Sequence, residues 1–202
     1  MFGGSKEKRF WNWFQKNEDR LFDVVTAGET ICNDLQRRMA KVDPYLTFLF
    51  GPVRDDGKRE FIISADGIKR SFPAVEALHD AAPELPRWVW IKYRPRLGMS
   101  DHMVLEGREY SSNDVTYKMY EDDGKVGLEI FMKGLTEEDR KFHQEIGMLF
   151  LDHALGEYDV ETRVGFIEFI SAADERADDA SPLADLAENF DRYFEQRNKG
   201  LH

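Results

Sequence analysis

The chain has 202 residues, 42% of them hydrophobic and 13% aromatic, and a formal charge of −11. That length and apolar content are enough for a buried core and exclude a chain disordered throughout. The negative charge argues against a broad surface for nucleic acid or anionic membrane, while leaving room for a local basic patch.

The single cysteine, Cys32, excludes an intrachain disulfide, a Cys-x-x-Cys motif and a multi-cysteine zinc site. The opening MFGGSKEKRF lacks the apolar run of a signal peptide, and no segment has the apolar length of a membrane span. A cytoplasmic location is therefore expected.

In chain order, residues 1–5 read as a flexible tail. Residues 6–25 read as a helix whose apolar stripe runs through Phe10, Trp11, Phe14, Leu21, Phe22 and Val25. Thr26 and Glu29 fit a capping box for a second helix, with Ile31, Cys32, Leu35 and Met39 as its stripe. Asp43-Pro44 ends it. Residues 45–50 are β-prone, and Asp56-Gly57 turns the chain into a second strand at 60–64. A short helix over 72–82 begins near Pro73, a favoured first-turn residue.

Residues 88–96 then read as a strand, followed by a weaker one at 102–106. The clearest hairpin joins 115–120 to 126–132 through Asp123-Gly124. Its second strand alternates Val126, Leu128 and Ile130 with Gly127 and Glu129, so one face should be solvated. Thr136 opens a late helix that is apolar nearly all round between Ile146 and Leu155, which predicts a central position and a large cost for Leu149→Ala. Gly156 caps it. A strand at 164–170, a solvated linker at 172–181 and an amphipathic helix after Pro182 complete the chain. There is no solenoid-length repeat; Asp-Asp-Gly-Lys at 55–58 and 122–125 is hairpin chemistry used twice.

Clustered strands without strict strand–helix alternation predict one α+β domain over 1–202, with a mainly antiparallel twisted sheet and helices packed chiefly on one face.

The segment Trp88-Val89-Trp90-Ile91-Lys92-Tyr93-Arg94-Pro95-Arg96 is the most informative stretch for function. Strand alternation puts Lys92, Arg94 and Arg96 on one side, behind Trp88 and Trp90. Guanidinium forks suit carboxylate or phosphate. With His102 nearby as a titratable group, the four form a candidate anion patch. The commoner outcome in so acidic a chain is that such cations pair with neighbouring Asp and Glu, and that the tryptophans lie under a helix. For His102 an exposed loop histidine is the commoner outcome, and His153 reads as a core histidine rather than a ligand.

Asp152, inside the apolar helix, needs a partner or a raised pKa; Arg163 and a backbone NH cluster are the candidate partners. The histidine spacing fits no zinc motif and the acidic turns lack the remaining calcium ligands, so neither metal nor cofactor is expected. Phe2-Gly3-Gly4-Ser5-Lys6 follows no strand and is no phosphate loop.

Phe10-Trp11-Asn12-Trp13-Phe14 with Asn17-Glu18-Asp19-Arg20-Leu21-Phe22, the stretch from Val42-Asp43-Pro44 through Phe50-Gly51-Pro52, Arg59–Ser64, and Leu155-Gly156-Glu157-Tyr158-Asp159 together resemble an uncharacterised family of bacterial cytoplasmic proteins. The resemblance implies such a setting and carries no catalytic residue. The leading expectation is a non-catalytic binding or interaction protein, with a protein partner or a small anionic ligand. The alternative is a small hydrolase or transferase acting on an anionic substrate, with His102 as base and Arg94 and Arg96 as clamp. An acidic mimic that blocks a basic partner draws on net charge alone.

Overall fold

The computed structural model describes residues 4–98 and 100–200, and the chain divides into two compact units, Met1–Arg94 and Pro95–His202. It is an α+β protein with three sheets where one was expected.

The first unit begins with helices α1 (Lys6–Lys16), α2 (Glu18–Phe22), α3 (Val24–Ala27) and α4 (Glu29–Met39). Residues 1–3 of the expected tail lie outside the described residues, and Ser5 is ordered as the N-cap of α1, accepting from Lys8 N at 3.2 Å. The expected helix over 6–25 breaks at Asn17, where ψ is 14°, and again at Asp23. Its stripe therefore does not continue: Leu21 is buried but Val25 is 88% exposed. The capping box at Thr26 does not form, because Gly28 is the N-cap of α4 at a φ of 74°.

Next come β1 (Thr47–Val53), β2 (Arg59–Ser64), α5 (Phe72–Asp80) and β3 (Trp88–Lys92). β1 and β2 form the antiparallel hairpin, and β3 returns through α5 to lie parallel to β2, giving the order β1-β2-β3. A mainly antiparallel sheet was expected, and this pair is an exception to it. A helical crossover instead returns the chain to the same end of the sheet, which makes the pairing parallel.

One face of this sheet is aromatic. Phe61 has its ring centroid 5.2 Å from Phe14 and 5.4 Å from Phe50, and Trp11 and Phe14 of α1 lie 4.7 and 5.4 Å from Trp90. Each edge-to-face pair adds about 0.5–1.5 kcal/mol beyond the area it buries. The buried indole of Trp11 donates to Leu78 O at 2.8 Å, so α1 is tied to α5 without an orphan donor.

The second unit holds the hairpin β4 (His102–Leu105) and β5 (Arg108–Ser111), then β6 (Val115–Asp122), β7 (Lys125–Met132), α6 (Arg140–Leu155), α7 (Glu157–Arg163), β8 (Val164–Ser171), β9 (Ser181–Pro182) and α8 (Leu186–Gly200). Its larger sheet has the order β8-β7-β6-β9, with β8 parallel to β7 and the other pairs antiparallel. β5 carries no strong strand signature in the sequence. It is placed by the turn Glu106-Gly107, both residues with φ above 50°.

Val126, Leu128, Ile130 and Met132 of β7 face α6 and α8, where Ile146, Phe150, Leu151, Leu186 and Phe190 close the core. The opposite face of β7 is not solvated as expected: Gly127 and Phe131 are buried, and a Cβ on Gly127 would fall 2.0 Å from the ring of Phe166. α6 begins at Arg140 rather than Thr136. The acids at 137–139 precede it, and Thr136 Oγ1 instead accepts from Asp139 N at 3.3 Å. α6 is central to its unit, but Leu149 is only partly buried; Ile146, Phe150 and Leu151 are fully enclosed.

The expected linker at 172–181 contains a turn of 3-10 helix, Glu175–Ala177, pinned by Arg176 to Glu129 at 3.2 Å and to Glu168 at 3.4 Å.

Candidate functional site

The basic segment does not present its cations along one strand. β3 ends at Lys92 because Tyr93 adopts a φ of 63°, which a strand cannot continue through. Lys92 is exposed and makes no ion pair among the described residues. Arg94, at the end of the first unit, bonds Asp66 at 2.7 Å.

Arg96 belongs to the second unit and is fully engaged there. Its guanidinium donates to Asp159 at 2.7 Å, to both oxygens of Asp191 at 2.7 and 2.8 Å, and through Nε to Leu155 O at 2.9 Å. The bond to Asp191 is the first cause of a pKa held above the ordinary arginine value, opposed by burial and helped by Asp159. Arg163 joins the same node, 3.3 Å from Asp159. Asp159 is thus the acid that Arg163 meets.

His102 lies on β4 with its side chain 55% exposed, 3.4 Å from Glu109 across the hairpin. Of the helical histidines, His143 is the buried one rather than His153. Its Nδ1 lies 2.9 Å from Asp139 O, and its ring meets Tyr110 and Phe142 edge-on at 5.4 Å each.

The tryptophans have a second environment besides α1. In the first unit a groove of 890 Å³ is lined by Trp88, Trp90, His79, Asp80 and the residues 82–86, Ala-Pro-Glu-Leu-Pro. Trp88 and Trp90 stack with centroids 5.6 Å apart and planes 7° from parallel. The Trp90 indole donates to Pro83 O at 2.9 Å, which fixes the ring against the groove wall, and the Trp88 indole donates to Glu18 at 3.3 Å. Two carboxylates, Asp80 and Glu84, stand at this aromatic surface. His79 bonds Asp80 at 3.1 Å and is, among the described lining residues, the one able to carry positive charge. The groove was not foreseen. Its sole sequence signal is the Pro83–Pro86 pair before a Trp-x-Trp strand, and proline-bounded loops are common.

Among the described residues no three His, Cys, Asp or Glu side chains cluster as a metal site, and no helix is long and apolar enough to cross a membrane. Comparison with protein-family models, curated proteins and solved structures returned no match for this chain.

Proposed function

We propose that this chain is a non-catalytic interaction protein, and that the groove of its first unit receives a basic segment of a partner protein. The observation that carries this reading is the lining of that groove: aromatic surface and two carboxylates with no lysine or arginine among them. An arginine laid there would stack its guanidinium on the Trp90 indole and meet Asp80 and Glu84 at its edge. The net charge of −11 attracts a basic partner at long range. The anion-clamp alternative has less support, since Arg94 and Arg96 are already paired with acids and His102 with Glu109.

The test is fluorescence anisotropy of a labelled oligo-arginine peptide. The variant Asp80→Asn with Glu84→Gln is expected to bind roughly tenfold more weakly, the effect of losing charge-assisted contacts. Asp55→Asn with Asp56→Asn, which removes equal charge from the β1–β2 turn, should bind as the native chain does. Equal weakening in both variants would reduce the attraction to net charge and overturn the site. Turnover of a chromogenic phosphate ester that His102→Ala abolishes would favour the hydrolase instead.

A further inference from the structure

The outer edge of β6 is only half used. β9 pairs with it at Thr116↔Pro182 and Tyr117↔Ser181 and then stops. It stops because Asp179 takes a φ of 60° and the Ala180 N–H turns back to Ala177 O at 3.1 Å. Residues 118–122 of β6 have no strand beside them on that side among the described residues. A groove of 510 Å³ runs along this open edge, walled by Asn189, Arg192, Tyr193 and Gln196 of α8.

Which backbone groups point into the open lane follows from the ladder. Lys133 N donates to Asp114 O at 3.0 Å. In an antiparallel ladder alternate residues aim both backbone groups at the same neighbour. Thr116, Lys118, Tyr120 and Asp122 therefore serve β7, and Tyr117, Met119 and Glu121 aim outward. Tyr117 meets β9, and Pro182 occupies a position where no N–H is needed. Met119 and Glu121 present their N–H and C=O groups to the empty lane, a ready template for another strand.

The side chains say which strand. The open stretch reads Lys118-Met119-Tyr120-Glu121-Asp122. Laid antiparallel against a second copy about a twofold axis at Tyr120, Met119 of each chain faces Glu121 of the other. These are the two residues whose backbone groups point outward, so they exchange hydrogen bonds. In the same register Lys118 of each chain faces Asp122 of the other. Within one chain neither Lys118 nor Asp122 has an ion pair among the described residues; the Asp122 carboxylate rests over Gly165 instead, and turning it to the edge costs one rotamer change. The pairing spans five residues and ends where β9 begins. By contrast, β1 carries Pro52 and a bulge between Phe50 and Val53, devices that blunt an edge.

We infer that the β6 edge is a self-association surface, pairing β6 with β6 of a second copy so that Lys118 meets Asp122 twice. This goes beyond the interaction reading and does not depend on what the groove of the first unit holds.

Sedimentation equilibrium tests it. The native chain should show a concentration-dependent monomer–dimer equilibrium. Lys118→Asp sets acid against acid at both ends of the pairing, and Asp122→Lys sets cation against cation. Each should weaken the dimer roughly tenfold, because like charges directly opposite each other destabilise a strand pair. The double variant, Lys118→Asp with Asp122→Lys, should recover dimerisation. Mixing the two single variants should give a heterodimer that neither forms alone. A native chain monomeric up to its solubility limit would overturn the proposal. So would a dimer indifferent to both single substitutions, or single variants that weaken while neither the double variant nor the mixture recovers.

Discussion

The two units share a chain path and differ in what fills it. Each makes a hairpin, crosses through helix and lays a third strand parallel to the hairpin's second: β1-β2-α5-β3 in the first, β6-β7-α6-α7-β8 in the second. The same Asp-Asp-Gly-Lys lies at both hairpin ends yet turns differently. In the first unit Arg54 N donates to Lys58 O at 2.8 Å around a three-residue loop with Gly57 at a φ of 77°. In the second Asp122 pairs with Lys125 around Asp123-Gly124 alone, at φ of 46° and 84°. Local turn chemistry thus fixes that the chain reverses, while strand register decides how many residues do it.

The cores diverge further. The first is an aromatic interlock around Phe61 and Trp88; the second wraps aliphatic and phenyl side chains about α6 and adds the partly buried node of Arg96 with Asp159 and Asp191.

The largest expected effects probe the two cores. Phe61→Ala should cost about 3–5 kcal/mol and Leu151→Ala about 2–5 kcal/mol in chemical denaturation, through lost transfer energy and a cavity. Leu149→Ala, two positions earlier on α6 and partly exposed, should cost less than half as much as Leu151→Ala. Equal losses at 149 and 151 would mean that α6 is enclosed on all sides after all.

A smaller effect separates the charges of the basic segment. Arg96→Gln should cost about 1.5–3 kcal/mol, because it strips charge-assisted bonds from Asp159 and Asp191. Lys92→Gln should stay within about 0.5 kcal/mol, as expected for an exposed side chain with no ion pair among the described residues. A silent Arg96→Gln would free that arginine for a ligand.

The smallest effect is alkaline. Burial first, and Asp114 second, push the Tyr110 phenol from 10.0 up to about 12. A folded value above the unfolded one means the neutral phenol is favoured in the native state. The associated stability is fully present below pH 10.0 and is lost as pH rises through about 12. Melts across that window should fall more steeply for the native chain than for Tyr110→Phe, and parallel curves would place the phenol in solvent.

Periodicity and turn residues made most elements legible. The β6–β7 hairpin, Gly156 as the end of α6, and Pro73 at the start of α5 all follow from local chemistry. The break of the first helix at Asn17 was not legible, since the apolar stripe runs past it and the break is a matter of backbone angles. Nor was the end of β3: alternation carried Lys92, Arg94 and Arg96 along one face, and one left-handed residue, Tyr93, undoes that. The partners of Arg96 lie 63 and 95 positions away, a distance at which no spacing rule reaches. The groove beside Trp90 was hidden for a like reason: its carboxylates come from the end of α5 and a loop, and neither carries a motif.

The indole N–H resonances give the most direct test of that groove. Trp90 lines it and bonds Pro83 O, whereas Trp11 is buried and bonds Leu78 O. Titrating oligo-arginine into the isotopically labelled chain should shift the Trp90 signal to saturation and leave the Trp11 signal in place, with oligo-glutamate moving neither. A stationary Trp90 signal, or one that moves equally with oligo-glutamate, would contradict the assignment of this surface to a basic partner.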